Sequence, residues 1–234
     1  DAFTTMYRAA ADLGTPVVEI DGVTTVWWRH ADDPGYSCPI NLTDASDPHA
    51  AILHIEAAAR ADGAIVLGID GSPDTIDAVG KDRVNALGFR ADYQEHMWGR
   101  RIERRELDHL AEPPDAPTVR HVHDAEIGAF ARILNIGYDL PEDSVRGHIF
   151  AATIGLPGWV HYLVEYDGQP GSASVMYVID GVAQLFVSTT MPDFRGRGGQ
   201  AALIRHRLRD ALALGADLAT SQTGTVNASP RNMQ

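Results

Sequence analysis

The chain has 234 residues, of which 44% are apolar and 22% charged, and it carries a formal charge of −13. That length permits two domains with sizeable cores, and no apolar run is long enough to span a bilayer. The acidic balance argues against nucleic-acid or anionic-membrane binding, because phosphate contacts need Lys and Arg to displace counterions. It suits a cationic partner such as an amine, and equally a solvated acidic surface. A single cysteine, Cys38, excludes an intramolecular disulfide and a cysteine-only metal site. It reads as a small buried hydrophobe, and with no secretory signal in view the expected location is cytoplasmic.

In the first half, Val17 to Ile20 and Val23 to Trp28 flank Asp21-Gly22, a hairpin signal. Pro48 to Ala61 has the spacing of an amphipathic helix, Ala64 to Ile69 reads as an apolar strand, and Thr75 to Ala86 as a helix. Leu87-Gly88-Phe89 precedes an expected last strand, Tyr93 to Trp98. Arg100, Arg101, Arg104 and Arg105 alternate with Glu103 and Glu106, the pattern of a salt-bridged, solvated helix.

Glu112-Pro113-Pro114-Asp115-Ala116-Pro117 is the clearest boundary, since prolines lack amide donors and fix φ. It divides the chain into residues 1–111, a linker at 112–117, and residues 118–234. Beyond it, Val119 to Val122 reads as a short strand, Asp124-Ala125-Glu126 as the start of a helix, and Pro141 to Ile154 as a second helical stretch. A meander follows: Trp159 to Tyr166, Ser172 to Ile179 and Val182 to Thr190, joined by Asp167-Gly168 and Asp180-Gly181. Ala201, Ala202, Ile204, Leu208, Ala211 and Leu212 mark the apolar face of a helix, with Arg205, Arg207 and Arg209 opposite. Asp217 to Ser221 is a further strand, and Thr225 to Gln234 opens another helix. The class is mixed α/β, and the meander excludes a purely parallel, doubly wound sheet.

Arg195-Gly196-Arg197-Gly198-Gly199-Gln200 lies between an apolar strand and a helix. Such a turn can aim backbone N–H groups, and the positive end of a helix, at an anion. Glycines allow close approach and positive φ, and Arg195 and Arg197 could add charge-assisted bonds to phosphate oxygens. The loop lacks the Gly-Lys-Ser/Thr ending of a Walker motif, and a meander precedes it where a Rossmann loop needs a first βαβ unit.

The stretch Ser188-Thr189-Thr190-Met191-Pro192-Asp193-Phe194-Arg195-Gly196-Arg197-Gly198 resembles motif A of the GNAT superfamily of N-acetyltransferases. The resemblance covers Val119 to Gln234 well. The first half is similar only at Leu87-Gly88-Phe89 and looks like a degenerate repeat. The resemblance implies a GNAT fold: a mostly antiparallel, twisted mixed sheet flanked by helices, in two tandem copies. Residues 1–111 would be a degenerate copy and 118–234 the acetyl-CoA-binding copy, with the fold's closing two strands expected beyond Gln234. It further implies that Ser188, Thr189 and Thr190 splay from the neighbouring strand and hold the pantetheine arm. The amides of Gly196, Arg197, Gly198, Gly199, Gln200 and Ala201 would hold the pyrophosphate, with Asn227 and Ser229 beside the pantetheine.

Three positions depart from the family pattern. Gln200 stands where the loop usually closes with Gly or Ala. Gln184 stands where a glutamate often serves as base, and Met233 where a tyrosine often protonates the leaving thiolate. No catalytic residue is therefore assigned; Glu165, His161 and Tyr162 read as exposed strand residues. Direct attack by a neutral amine needs mainly positioning and a polarising amide. His121 and His123 share a strand face but lack a third ligand at an informative spacing, so no metal is expected. Trp27, Trp28, Trp98 and Trp159 read as core or interface aromatics. The expected activity is acetyl transfer from acetyl-CoA to a primary amine, of a small molecule in preference to a protein. A non-catalytic acyl-CoA sensor is the alternative, and a homodimer is compatible with either.

Overall fold

The computed structural model describes residues 2–14, 16–29, 42–64, 66–69, 76–77, 79–90, 95–106, 110–111 and 113–224. They divide into two compact units, 1–92 and 93–234. The division lies upstream of the Pro-rich segment that composition marks as the boundary. The reason is a long-range strand pairing: Glu95–Arg101 joins the second unit's sheet, so the chain is committed to that unit before it reaches Pro113.

In the first unit, helix α1 (Ala2–Ala9) precedes a hairpin of β1 (Val17–Ile20) and β2 (Val23–Val26). Asp21 and Gly22 both have positive φ, as a tight hairpin turn requires. Helix α2 (Pro48–Ala61) starts at Asp47, whose carboxylate accepts from the amides of His49 and Ala50. Its face Ala51, Ile52 and Ile55 packs with Val23, Leu42, Val79 and Val84. The expected helix Thr75 to Ala86 is broken at Gly80, at φ +89°: Ile76, Asp77 and Val79 are helical before it, and helix α3 (Lys81–Ala86) follows it. The described part of Ala64 to Ile69 has no strand partner and forms no strand.

The second unit is a six-stranded sheet in the order β3-β8-β7-β6-β5-β4. Its strands are β3 (Glu95–Arg101), β4 (Thr118–His121), β5 (Trp159–Tyr166), β6 (Gln169–Ile179), β7 (Val182–Thr190) and β8 (Leu218–Gly224). Only β7 and β8 pair in parallel. Both meander turns follow the sequence: Asp167-Gly168 and Asp180-Gly181 take positive φ throughout. β3 is the expected last strand of the first half, yet its partner is β8. Arg100 and Arg101 therefore lie in a strand, and Arg104–Glu106 forms a single 3-10 turn, in place of the expected solvated helix.

Helices cover both faces of this sheet. On one, α4 (Ile127–Gly137) and α5 (Val145–Ala151) cross where Gly147 passes under the Ala131 carbonyl, an approach too close for any Cβ. Buried Asn135 locks the crossing: its Oδ1 accepts from the Gly147 amide at 2.8 Å and its Nδ2 donates to the Ser144 carbonyl at 2.7 Å. On the other face, α6 (Gly199–Ala213) packs Leu203, Leu208, Ala211 and Leu212 onto Tyr162, Val164, Met176 and Leu185. Arg207, expected on the solvated side of α6, is instead only 2% exposed. No helix among the described residues is long and apolar enough to cross a membrane.

Candidate acyl-CoA site

The parallel pairing of β7 with β8 runs only from Val182–Leu218 to Leu185–Ser221 and then stops. β7 nevertheless continues to Thr190, and β8 to Gly224. The two strands therefore part beyond Leu185, leaving one flank of Phe186 to Thr190 without a parallel neighbour. The cause lies within β7. Opposite β6 its register slips between Leu185 and Ser188, which face Met176 and Ser174, so one extra residue bulges out of the ladder. A bulge bends its strand and sharpens the local twist. Ser174 Oγ donates to the Val187 carbonyl at 2.9 Å inside the irregularity.

Arg207 reaches the same place from α6. Its Nη1 lies 3.3 Å from the Phe186 carbonyl and 3.4 Å from the Val175 carbonyl, and its Nε lies 3.3 Å from the Leu203 carbonyl. Among the described residues no carboxylate pairs with it, and burial lowers its pKa to about 10.

Past the bulge, Met191 and the Pro192–Phe194 turn lead to the glycine loop. Gly196 and Gly198 have φ of +76° and +78°, in the left-handed region that glycine tolerates. Gly199 is required for a different reason. A Cβ there would overlap the Tyr166 hydroxyl, which sits beneath the first turn of α6 in a chain of bonds, Tyr166 Oη to Ser172 Oγ and Ser172 Oγ to Thr190 Oγ1, each 2.8 Å. α6 begins at Gly198 with no side-chain cap. Its first backbone bond among the loop amides runs from Ala202 to the Gly198 carbonyl. Among the described residues, the consecutive N–H groups of Gly196 to Ala201 have no acceptor within the protein.

The two arginines are engaged elsewhere. Arg195 donates to the Thr190 and Gly137 carbonyls, both at 3.1 Å, and so ties the loop to the end of α4. Arg197 meets Asp167 Oδ2 at 2.6 Å and lies over the Tyr166 ring at 4.9 Å. Their observed work is to brace the loop. Gln200 accepts from Ser188 Oγ at 2.7 Å, so its side chain links the start of α6 to the diverging end of β7. Thr189 closes on Gly137, where no Cβ would fit. The structure thus brings Ser188, Thr189, Thr190 and the loop residues 195–201 together. Asn227, Ser229 and Met233 lie outside the described residues, as does Cys38.

No base stands among the strand residues considered. Gln184 accepts a hydrogen bond from Thr220 Oγ1. Glu165 pairs with Arg120 at 2.7 Å, and the same guanidinium holds Glu126. His161 and Tyr162 are buried, against the expectation of exposed strand positions, because β5 is an interior strand with helices on both faces. Burial brings the His161 pKa down to about 4 and raises that of Tyr162. Trp27, Trp28 and Trp159 are buried as expected, and Trp159 stacks on Phe186 at the bulge with ring centroids 5.3 Å apart. Tyr166, Ser172 and Gly137 support the loop, yet nothing in their local sequence marks them.

No family model matches the sequence, and no curated protein matches it. Solved structures do. A GCN5-related N-acetyltransferase from Kribbella flavida superposes with a TM-score of 0.53 at 16% identity, over 95% of this chain and 84% of that one. A functionally unknown conserved protein from Staphylococcus epidermidis ATCC 12228 gives 0.55 at 11% identity, over 93% and 86% of the two chains. FemX gives 0.53 at 12%, over 94% and 82%. At these identities the likeness is one of fold: a mixed α/β arrangement with a mostly antiparallel sheet flanked by helices, consistent with the GNAT fold.

Proposed function

We propose that the chain is an acetyl-CoA-dependent N-acetyltransferase that acylates a primary amine of a small molecule. The observation that carries this reading is the run of amides from Gly196 to Ala201 that have no acceptor among the described residues, beside a strand that has parted from its neighbour. Uncapped amides at a helix start suit the pyrophosphate of a CoA thioester, which would be bound by backbone donors and the helix dipole. The free flank of Phe186 to Thr190 offers amide and carbonyl groups to a pantetheine arm, itself a pair of amides in an extended chain. A backbone N–H in that stretch would polarise the thioester carbonyl as negative charge builds on its oxygen.

The absence of an ionised base at Gln184 fits attack by an amine that arrives neutral. Its nitrogen forms the new C–N bond, the tetrahedral intermediate expels the CoA thiolate, and the ammonium proton leaves to water or thiolate. Orientation of the two substrates then supplies most of the rate gain. The fold likeness to a GCN5-related N-acetyltransferase supports this reading. Residues 118–234 would carry the donor site, with β3 completing their sheet.

The test is release of free thiol from acetyl-CoA across a panel of small primary amines, with calorimetric titration of CoA in parallel. The proposal expects CoA to bind and at least one amine to accelerate thiol release. CoA binding without turnover on any amine would leave a non-catalytic acyl-CoA sensor, and no CoA binding would sink both.

A further inference from the structure

A second cluster lies on α6, well away from the loop. His206 and Asp210, one helical turn apart, face the sheet edge where His121 ends β4. His121 Nε2 is 2.8 Å and His206 Nε2 3.9 Å from the same carboxylate oxygen, Asp210 Oδ2. A ligand atom from each of the three residues lies within 4.8 Å of the other two. At a rise of about 1.5 Å per residue, the cluster sits roughly 10–16 Å along the helix from Gly199. It therefore does not belong to the acyl-CoA site. His123, which alternation pairs with His121 in the sequence, lies beyond the strand end, where its amide donates to Glu126. The helix supplies the other two ligands, His206 and Asp210.

We propose that His121, His206 and Asp210 form a binding site for a divalent transition metal of the zinc type. Two imidazole nitrogens and one carboxylate oxygen are a donor set for zinc, nickel or copper, whereas magnesium and calcium prefer oxygen ligands throughout. Bonds of about 2.0–2.1 Å in tetrahedral geometry put ligand atoms about 3.3 Å apart. The observed 2.8 and 3.9 Å bracket that value, so small side-chain adjustments would close the site.

The surroundings favour a site over a chance ion pair. Tyr162 Oη donates to Asp210 Oδ2 at 3.0 Å from a fully buried position, which fixes the carboxylate as outer-sphere partners of metal ligands do. Its ring packs edge-on against both imidazoles, at 5.2 Å from His121 and 5.8 Å from His206. Asp210 and His206 side chains are only about a quarter exposed, while His121 is more than half exposed. The open side would admit a water as fourth ligand. A metal there would pin the edge strand β4 to α6.

The experiment is calorimetric titration of metal-stripped, tag-free protein with zinc, repeated with cobalt while its visible d–d absorption is recorded. The proposal expects one site of micromolar or tighter affinity, at least tenfold weaker zinc binding in His121→Ala and in Asp210→Asn, and unchanged binding in His123→Ala. His121 is exposed at a strand end, so its removal leaves the fold intact. Zinc should also raise the Tm of the wild type and not that of His121→Ala. Equal zinc affinity in wild type and His121→Ala would overturn the proposal and leave a hydrogen-bond cluster. Displacement of zinc by equimolar magnesium would overturn it as well.

Discussion

Lowering the pH from 7 to 4 should weaken the second unit through His161. This imidazole is 5% exposed, in edge-to-face contact with Phe130 and within 2.9 Å of Thr153 Oγ1 and 3.1 Å of the Phe150 carbonyl. Burial disfavours its charged form and brings its pKa to about 4, from 6.5 in the unfolded chain. Between those values the unfolded state holds a proton that the folded state does not. Stability is therefore complete above pH 6.5 and falls as pH drops, reaching its full loss once the pH passes below about 4. At ~1.4 kcal/mol per tenfold, the loss is about 3 kcal/mol, a large share of the ~5–15 kcal/mol that stabilises a domain. Urea melts of wild type and His161→Gln, followed by tryptophan fluorescence from pH 7 to 3.5, isolate this effect, since other titrating groups are common to both. The difference between the two stability curves should tilt by about 3 kcal/mol, with wild type losing more towards acid. Parallel curves, or a His161 ring signal titrating near 6.5 by NMR, would refute the reasoning.

Gly198→Trp should abolish CoA binding in a folded protein, at a cost of ~1–2 kcal/mol for a side chain at φ +78°; unchanged CoA affinity would show that the loop is not the phosphate site. Gly199→Ala should destabilise by ~1–3 kcal/mol through overlap with the Tyr166 hydroxyl, and Tyr166→Phe should recover part of that loss in a double-mutant cycle. Arg207→Met removes a buried cation that no carboxylate partners among the described residues, and should leave stability unchanged or raise it by up to ~3 kcal/mol. A loss above ~2 kcal/mol in urea melts would show that its three long bonds to carbonyls outweigh its desolvation. A fragment of residues 118–234 should aggregate where 93–234 stays monomeric in sedimentation, because removing β3 bares the edge of β8.

The second half was legible where local chemistry dictates geometry. Asp-Gly turns force hairpins, and the glycines of the loop need positive φ, so the meander and the loop stand where the residues place them. The register slip in β7 was not legible, since Phe186-Val187 reads like any strand pair and the bulge exists only against β6. Arg207 was misplaced for a related reason. Helical periodicity assigns a cation to the solvated face, yet this side chain crosses the core to carbonyls that an irregular strand presents. The histidine cluster needed tertiary contact between residues 121 and 206–210, which no spacing rule encodes.

The boundary shows how a local signal can be correct and still mislead. Three prolines do stop regular structure at Pro113 to Pro117, and β4 starts only at Thr118. A stop in secondary structure is a domain boundary only if few contacts cross it, however, and seven residue pairs join Glu95–Arg101 to Leu218–Gly224. β8 is paired in parallel with β7 along only part of its length, so its far edge needs a partner, and β3 supplies one. That partner bears on the proposed site: the gap beyond Leu185 stays open only while β8 is held away from β7. The pairing spans all of β8, including Thr223 and Gly224 past the point of divergence, and Trp98 Nε1 adds a bond to Thr223 Oγ1 at 2.8 Å. Residues upstream of the prolines thus hold β8, the strand that borders the gap beside the proposed site.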